Sequence, residues 1–307
     1  MRYKKNIVIL FSILVLFGIV CFLNYHYKLY AINFHSEETI EDQTFSIMTF
    51  NVNSLDSITF SEEKQKKLLD LICEEHPDIL CMQELTFENL KRIKPQLDSI
   101  YGPCDTLKGD NQLWRLRLYS AYPLRNFRRH KCMGYFNYEG LELIESEQKE
   151  IEQFQKQMNV MSAELEVAPG HWVTFFSGHL RSSAYSTARR AMDKDASWTD
   201  GLSLYWRNYK VGKRIRDYEA ENVRRFIYSE RVAGKPVIVT GDLNDWCGST
   251  TLNTLMGEGD NVLKDAWWEG GNGFGFTYQG WHLRLRLDHI LYGNGLELQD
   301  VKVIDSD

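Results

Sequence analysis

Five short runs of β-branched, aromatic or aliphatic residues each end on side chains that can bind a cation, bind a phosphate or move a proton. Residues 45–50 lead into Asn51, and residues 78–82 lead into Gln83 and Glu84. Residues 172–176 lead through Ser177 and Gly178 to His179, and residues 236–240 lead through Gly241 to Asp242 and Asn244. Arg286 and Leu287 precede Asp288 and His289. Carboxylates and amides are hard oxygen donors that suit Mg²⁺ or Mn²⁺, and imidazole adds proton transfer. Such a set suits metal-assisted in-line attack on a phosphoester, in which a cation neutralises developing charge while a positioned base activates water. Asp242 and Asn244 stand two residues apart, so in an extended segment both side chains leave on one side. The same Gly-Asp ending also suits a turn closed by an Asx hydrogen bond. Arg181, just past His179, is a candidate phosphate-binding residue for which a packing or surface role fits equally well.

The elements that must position these groups follow from local pattern. Open α/β folds collect ligands at the ends of strands. Ser61 followed by Glu62 and Glu63 starts a helix over residues 61–76 with Leu68, Leu69, Leu71 and Ile72 on its apolar face, and Pro77 ends it. Residues 87–100 form a second helix, broken near Pro95. Residues 142–157 make a polar helix between two strands, and residues 209–230 an amphipathic one. Residues 182–206 form a long connection beside His179, where a substrate rim is expected. Residues 270–275 are too poorly framed for a nucleotide-binding loop, having no strand leading in and no helix following. They read as a flexible loop that brings Trp267, Trp268, Phe276 and Trp281 to the site mouth.

Taken in order, Thr49-Phe-Asn-Val-Asn53, Met82-Gln-Glu84, Gly178-His-Leu180, Gly241-Asp-Leu-Asn244 and Arg286-Leu-Asp288 resemble the endonuclease/exonuclease/phosphatase family, the group of deoxyribonuclease I and the bacterial sphingomyelinases. The resemblance spans residues 44–307, with weaker echoes at Tyr119-Ser-Ala-Tyr-Pro-Leu124, Asp265-Ala-Trp267 and Phe276-Thr-Tyr278. It implies a four-layer α/β sandwich, two mixed β-sheets face to face with helices outside. It implies Glu84 as the principal metal ligand, with Asn51 supporting the metal or the phosphate. Asp242 would orient or deprotonate the attacking water, and Asn244 would hold a phosphate oxygen. His179 would bind the phosphate or help the leaving group, and Asp288 would steady the family's catalytic histidine.

That histidine belongs to a Ser-Asp-His motif which, in the family, follows one further strand and precedes a closing one. Here residues 296–304 read as the further strand, and the sequence runs out at Asp305-Ser306-Asp307. Either Ser306-Asp307 is the motif cut one residue short, or the cut comes just before it, and the tight spacing from Asp288 favours the second. His289 is a poor substitute, because consecutive strand residues face opposite ways. It reads as a replacement for an aromatic packing residue. The expectation is a last strand missing from the 44–307 domain and a site that binds metal but turns over poorly. The alternative is a non-catalytic relative whose cleft only binds a phosphate ligand.

Composition bounds the setting. Residues 1–30 carry Arg2, Lys4, Lys5 and Lys28 with no acid, and residues 7–23 are apolar apart from Ser12 and Gly18. This reads as an N-terminal transmembrane helix (a signal-anchor), followed by a linker over residues 31–43. Positive charge ahead of the helix predicts a single-pass protein of the cell inner membrane with its catalytic domain outside the cytoplasm. Residues 31–307 hold 32 basic and 42 acidic residues, a net charge of −10. That counts against duplex nucleic acid as partner and leans toward a lipid, sugar or nucleotide phosphoester. Arg115, Arg117, Arg125, Arg128 and Arg129 beside Trp114 and Tyr122 form the candidate basic patch, or else a solvated face. The cysteines outside the anchor lack Cys-x-x-Cys spacing, so structural zinc is not expected, and Cys81 reads as a buried apolar residue. No protein partner is predicted.

Overall fold

The computed structural model describes residues 2–33, 44–53, 60–103, 115–133, 136–137, 139–140, 143, 145–155, 158–183, 198–259, 262–279, 284–293 and 295–304. Two mixed sheets form the centre. The smaller has the order β1 (Ile47–Asn51), β2 (Ile79–Gln83), β3 (Arg117–Ser120), with β1 parallel and β3 antiparallel to β2. The larger sheet is built from β4 (Leu124–His130), β5 (Val160–Ala168), β6 (His171–His179), β7 (Val237–Asp242), β8 (Lys264–Asp265) and β11 (Asp288–Gly293). Its spatial order is β4-β5-β6-β7-β11-β8, with β6 and β7 parallel and the other neighbours antiparallel. Two further short strands, β9 (Tyr278–Gln279) and β10 (Arg284–Leu285), pair as a ribbon.

Strand periodicity explains the layers. On β2, Ile79 and Cys81 face the other sheet and share a core with Phe175, Ile238 and Tyr292. Leu80 and Met82 alternate with them and pack outward against helices α2 (Glu62–Glu75) and α3 (Phe87–Tyr101). On β7, Ile238 points into the space between the sheets, while Val237 and Val239 pack with Ala220, Val223 and Leu252. Those three belong to α5 (Trp198–Val232) and α6 (Thr250–Met256). A short helix α4 (Glu145–Phe154) buries Ile151 against Phe136 and Ile215, and α7 (Ala266–Gly270) follows β8. The result is helix, sheet, sheet, helix.

Several expectations change. Helix α3 runs through Pro95 without a break, because Leu90, Ile93 and Leu97 remain buried on both sides of the proline. That apolar stripe outweighs a cost of about 3 kcal/mol for an interior proline. Residues 296–304 form no strand: Leu296, Leu298 and Val301 lean on the inter-sheet core, but no neighbouring strand engages their backbone among the described residues. The arginine patch does not exist as one face, since Arg117 is fully buried and Arg125 is paired with Glu164 and stacked on Trp172. Trp114 lies outside the described residues, as does Trp281. Among the described residues all cysteines are free, and Cys81 is buried in β2.

Helix α1 (Arg2–Tyr27) covers the expected anchor, with exposed apolar side chains such as Phe11, Leu16 and Phe22. Among the described residues no helix is long and apolar enough to cross a membrane. A transmembrane helix is therefore not a finding of the structure. The start of the linker is docked: Ala31 bridges Gly273 by paired backbone hydrogen bonds, and the Asn33 amide donates to Gly271 O.

Candidate active site

The parallel pairing of β6 with β7 places Gly178 opposite Gly241 and His179 opposite Asp242. Gly241 has φ +134°, and a Cβ there would lie 2.0 Å from Gly178 O. Only glycine permits this approach, and it brings His179 Nε2 within 3.8 Å of Asp242 Oδ2. The same Nε2 is 3.5 Å from Glu84 Oε1, yet it is buried and makes no hydrogen bond. Asn51, at the end of β1, donates from Nδ2 to Asp242 Oδ2 at 2.8 Å and to Glu84 Oε1 at 3.1 Å. Glu84, His179 and Asp242 thus offer one ligand atom each within 4.8 Å of one another. Glu84, Asn53 and Asn244 hold left-handed φ values of 57°, 46° and 55°, so the backbone around the cluster carries strain of the kind found at functional sites.

Asp288 joins the site from β11, where it pairs directly with Asp242 across the strands. Burial, then the Asp242 and Glu84 carboxylates, push its pKa up, with a Thr277 hydrogen bond opposing. Thr277 also accepts from the Leu287 and Asp288 backbone N–H groups, so the 276–278 segment seats this strand end. No histidine reaches Asp288 among the described residues. His289 faces away as the strand period requires, but it is no simple packing residue. It bonds Asp265 Oδ2 through Nδ1 at 3.1 Å and Asp245 O through Nε2 at 2.8 Å, in a buried network with Arg286.

The structure brings Asn51, Glu84, His179, Asp242 and Asp288 together along one crevice of about 1710 Å³, which Asn244, Arg181, Trp267 and Phe276 also line. Asn51 accepts the Asn53 N–H on Oδ1 and braces the two carboxylates through Nδ2, beside the groups it was expected to support. One geometry differs from expectation. Asn244 does not share an extended segment with Asp242, because β7 stops at Asp242. Its backbone N–H closes an Asx turn on Asp242 Oδ1, and its side chain donates to Leu180 O. Sequence reasoning passed over Asn159, Arg216, Glu219 and Asp245, which hold the loop after His179. The only signal was the Arg216–Glu219 spacing of one helical turn on α5.

A sequence profile described as the Endonuclease/Exonuclease/phosphatase family matches residues 48–307. The chain belongs to this family. Among solved structures, its fold is similar to TDP2 from C. elegans at a TM-score of 0.55 and 19% identity, over 84% of this chain and 68% of that one. A β-hairpin deletion mutant of beta toxin from Staphylococcus aureus gives a TM-score of 0.55 at 14% identity, over 86% and 94%. The human Nocturnin catalytic domain with bound sulfate gives 0.50 at 17%, over 81% and 82%. No curated protein is significantly similar in sequence. At these identities the likeness to solved structures is one of fold, and the chain belongs to a family whose members hydrolyse phosphoester bonds.

Proposed function

We propose that this chain is a divalent-metal-dependent phosphoester hydrolase held at a membrane by its N-terminal helix, with the hydrolase domain outside the cytoplasm. The observation that carries the hydrolase reading is the meeting of Glu84, His179 and Asp242, from three separate strand ends, within 4.8 Å. Carboxylate oxygens suit Mg²⁺ or Mn²⁺, so Glu84 would hold the ion with Asp242 and Asn51 beside it, leaving the imidazole for the phosphate. When bound, the ion would supply charge neutralisation at the phosphoryl oxygens. Asp242 would orient the attacking water, fixed by Asn51 on one oxygen and the Asn244 N–H on the other. His179 would bind a phosphate oxygen or the leaving group. Asn244 keeps a second amide hydrogen for the phosphate, and the Arg181 side chain lines the same crevice.

The membrane reading is supported by the exposed apolar face of α1 and by the docking of residues 30–33 on the loop at the crevice mouth, where Tyr30 meets Phe274 and Phe274 stacks on Phe276. With an acidic domain, this favours a lipid, sugar or nucleotide phosphoester over duplex DNA. The test is hydrolysis of bis(p-nitrophenyl) phosphate by the full chain in detergent, with Mg²⁺ or Mn²⁺ and with EDTA. Metal-dependent turnover lowered at least ~100-fold by Glu84→Gln and Asp242→Asn is the expected result. Mn²⁺ binding with no turnover would establish the non-catalytic phosphate-binding alternative, and neither binding nor turnover would remove both. Detergent-dispersed phospholipid and DNA across a salt series then separate substrates, since a nuclease loses activity steeply with salt. Extraction of native membranes with alkaline carbonate tests the anchor.

A further inference from the structure

Helix α5 carries a stripe of residues that no part of the proposed chemistry uses. Arg216 is fully buried and Glu219 is 1% exposed, one helical turn apart, and between them they hold both sides of the Arg181 peptide. The Arg181 N–H donates to Glu219 Oε2 at 2.8 Å, and Arg181 O accepts from Arg216 Nη1 at 3.0 Å. The other Glu219 oxygen accepts from Asn159 Nδ2 at 2.5 Å, and Asn159 O in turn accepts from the His179 N–H at 2.9 Å. Glu219 therefore reaches the chain on both sides of His179. Arg216 Nη1 also donates to Ser183 Oγ at 2.7 Å, and Nε reaches Asp245 Oδ2 at 3.3 Å, three residues beyond Asp242. One guanidinium thus joins the loop leaving β6 to the loop leaving β7.

Gly212, one turn earlier on α5, supplies a second observation. A Cβ there would lie 2.9 Å from Arg216 Nη1 and 3.0 Å from Ser183 Cα. A glycine inside a helix is unfavourable relative to alanine, and here it opens the space in which the Ser183 loop meets Arg216. A buried charge held by several directed hydrogen bonds is weak evidence for stability but fits a role in fixing geometry.

We propose that Arg216 and Glu219 are positioning residues that set the placement of His179 relative to Asp242, with Gly212 making room for them. Neither touches the reacting atoms; each acts through the 179–183 backbone. A displacement of about 1 Å at a catalytic group lowers rates by roughly 100-fold. Glu219→Ala removes the acceptor of both Arg181 N–H and Asn159, whereas Glu219→Gln retains one acceptor oxygen. Arg216→Lys keeps the charge and loses the fork.

The kinetic arm rests on the hydrolase reading and the spectroscopic arm does not. In full chain with ¹³C-labelled histidine, the His179 ring resonance is assigned by its loss in His179→Gln. Single in the parent, it is expected to split or broaden in Glu219→Ala and Arg216→Lys and to return to one line in Glu219→Gln. With bis(p-nitrophenyl) phosphate and Mn²⁺, Glu219→Ala is expected to lower kcat at least tenfold with KM within threefold, and Glu219→Gln to recover most of that loss. A variant that melts cooperatively with an unchanged His179 resonance, and an unchanged kcat wherever turnover is measurable, overturns the proposal. Should Glu219→Ala fail to fold, Arg216→Lys and Gly212→Ala carry the same comparison. If the parent hydrolyses nothing, the hydrolase reading fails and the resonance alone decides the positioning role.

Discussion

Replacing Gly241 by alanine should be among the most damaging single-methyl changes available to this protein. The residue sits at φ +134°, and the new Cβ would lie 2.0 Å from Gly178 O on the neighbouring strand. Backbone conformations of this kind cost a residue with a side chain about 1–3 kcal/mol. Forcing a methyl group into a closed contact adds about 1–3 kcal/mol, and the atom in the way is main chain of β6, which is hydrogen-bonded on both edges. The sum, about 2–6 kcal/mol, is a large part of an ordinary net stability of about 5–15 kcal/mol. At about 2–4 °C per kcal/mol for a domain of this size, Gly241→Ala should melt roughly 5–20 °C below the parent. Gly234→Ala is the control: its φ is +75°, but nothing lies within 4 Å of the added carbon, so only conformational strain is paid. Thermal melts followed by circular dichroism at one scan rate, full chain in detergent, compare the two. Because the contact directly precedes His179 and Asp242, Gly241→Ala should also lose hydrolysis at temperatures where it remains folded. A Gly241→Ala melt within 2 °C of Gly234→Ala would refute the argument that close strand approach requires glycine there.

Other tests follow from the charges. Saturating Mn²⁺, at about 100 times its dissociation constant, should stabilise the parent by about 2.7 kcal/mol and raise its melting temperature by several degrees. The gain should vanish in Glu84→Gln and on chelation; an equal rise in both proteins would place the ion elsewhere. Burial pushes Glu219 up to about 7 against the opposing pull of Arg181, Arg216 and Asn159, so the folded chain holds that proton more tightly than the unfolded one. Its contribution is most favourable below about pH 4.5 and falls as pH rises to about 7. The stability of the parent relative to Glu219→Gln should therefore drop by about 2–3 kcal/mol between pH 5 and pH 8 in denaturant titrations. Glu164 behaves oppositely: hydrogen bonds from Lys235, Arg125 and Asn126 hold it down at about 2 despite burial. Its contribution is present above about pH 4.5 and is lost as pH falls toward 2. Arg125 and Lys235 are half-exposed, so solvent screening limits the effect to about 1–2 kcal/mol. The gap between parent and Glu164→Gln should shrink from pH 7 to pH 3, and a constant gap would remove the assignment.

The strands that carry the site were legible because each is short, strongly apolar and followed at once by a polar group. The runs before Asn51, Glu84, His179 and Asp242 all form strands of the two sheets. Helix α2 was legible for a related reason: Ser61 accepts the Lys64 N–H as an N-cap, with Glu62 and Glu63 in the first turn. Residues 296–304 alternate as a strand would, but pattern alone supplies no hydrogen-bonding edge, and none of the described strands pairs with them. Pro95 misled in the opposite sense, because local propensity carries no information about the buried stripe that keeps α3 intact.

Sequence by itself determined the family and the types and order of its polar strand ends, because those follow from residue chemistry and spacing along one chain. It also determined that His289 could not stand in for a neighbour of Asp288, since the strand period of two forbids it. Only the tertiary structure decided how the groups meet. That Asn51 braces two carboxylates, that Asn244 closes a turn and ties Leu180, and that Arg216 and Glu219 hold the loop after His179 all depend on contacts between residues 33–191 positions apart or on backbone angles after a strand ends. Those are set when two sheets and α5 pack against one another, and no local pattern in the chain encodes the distances that result.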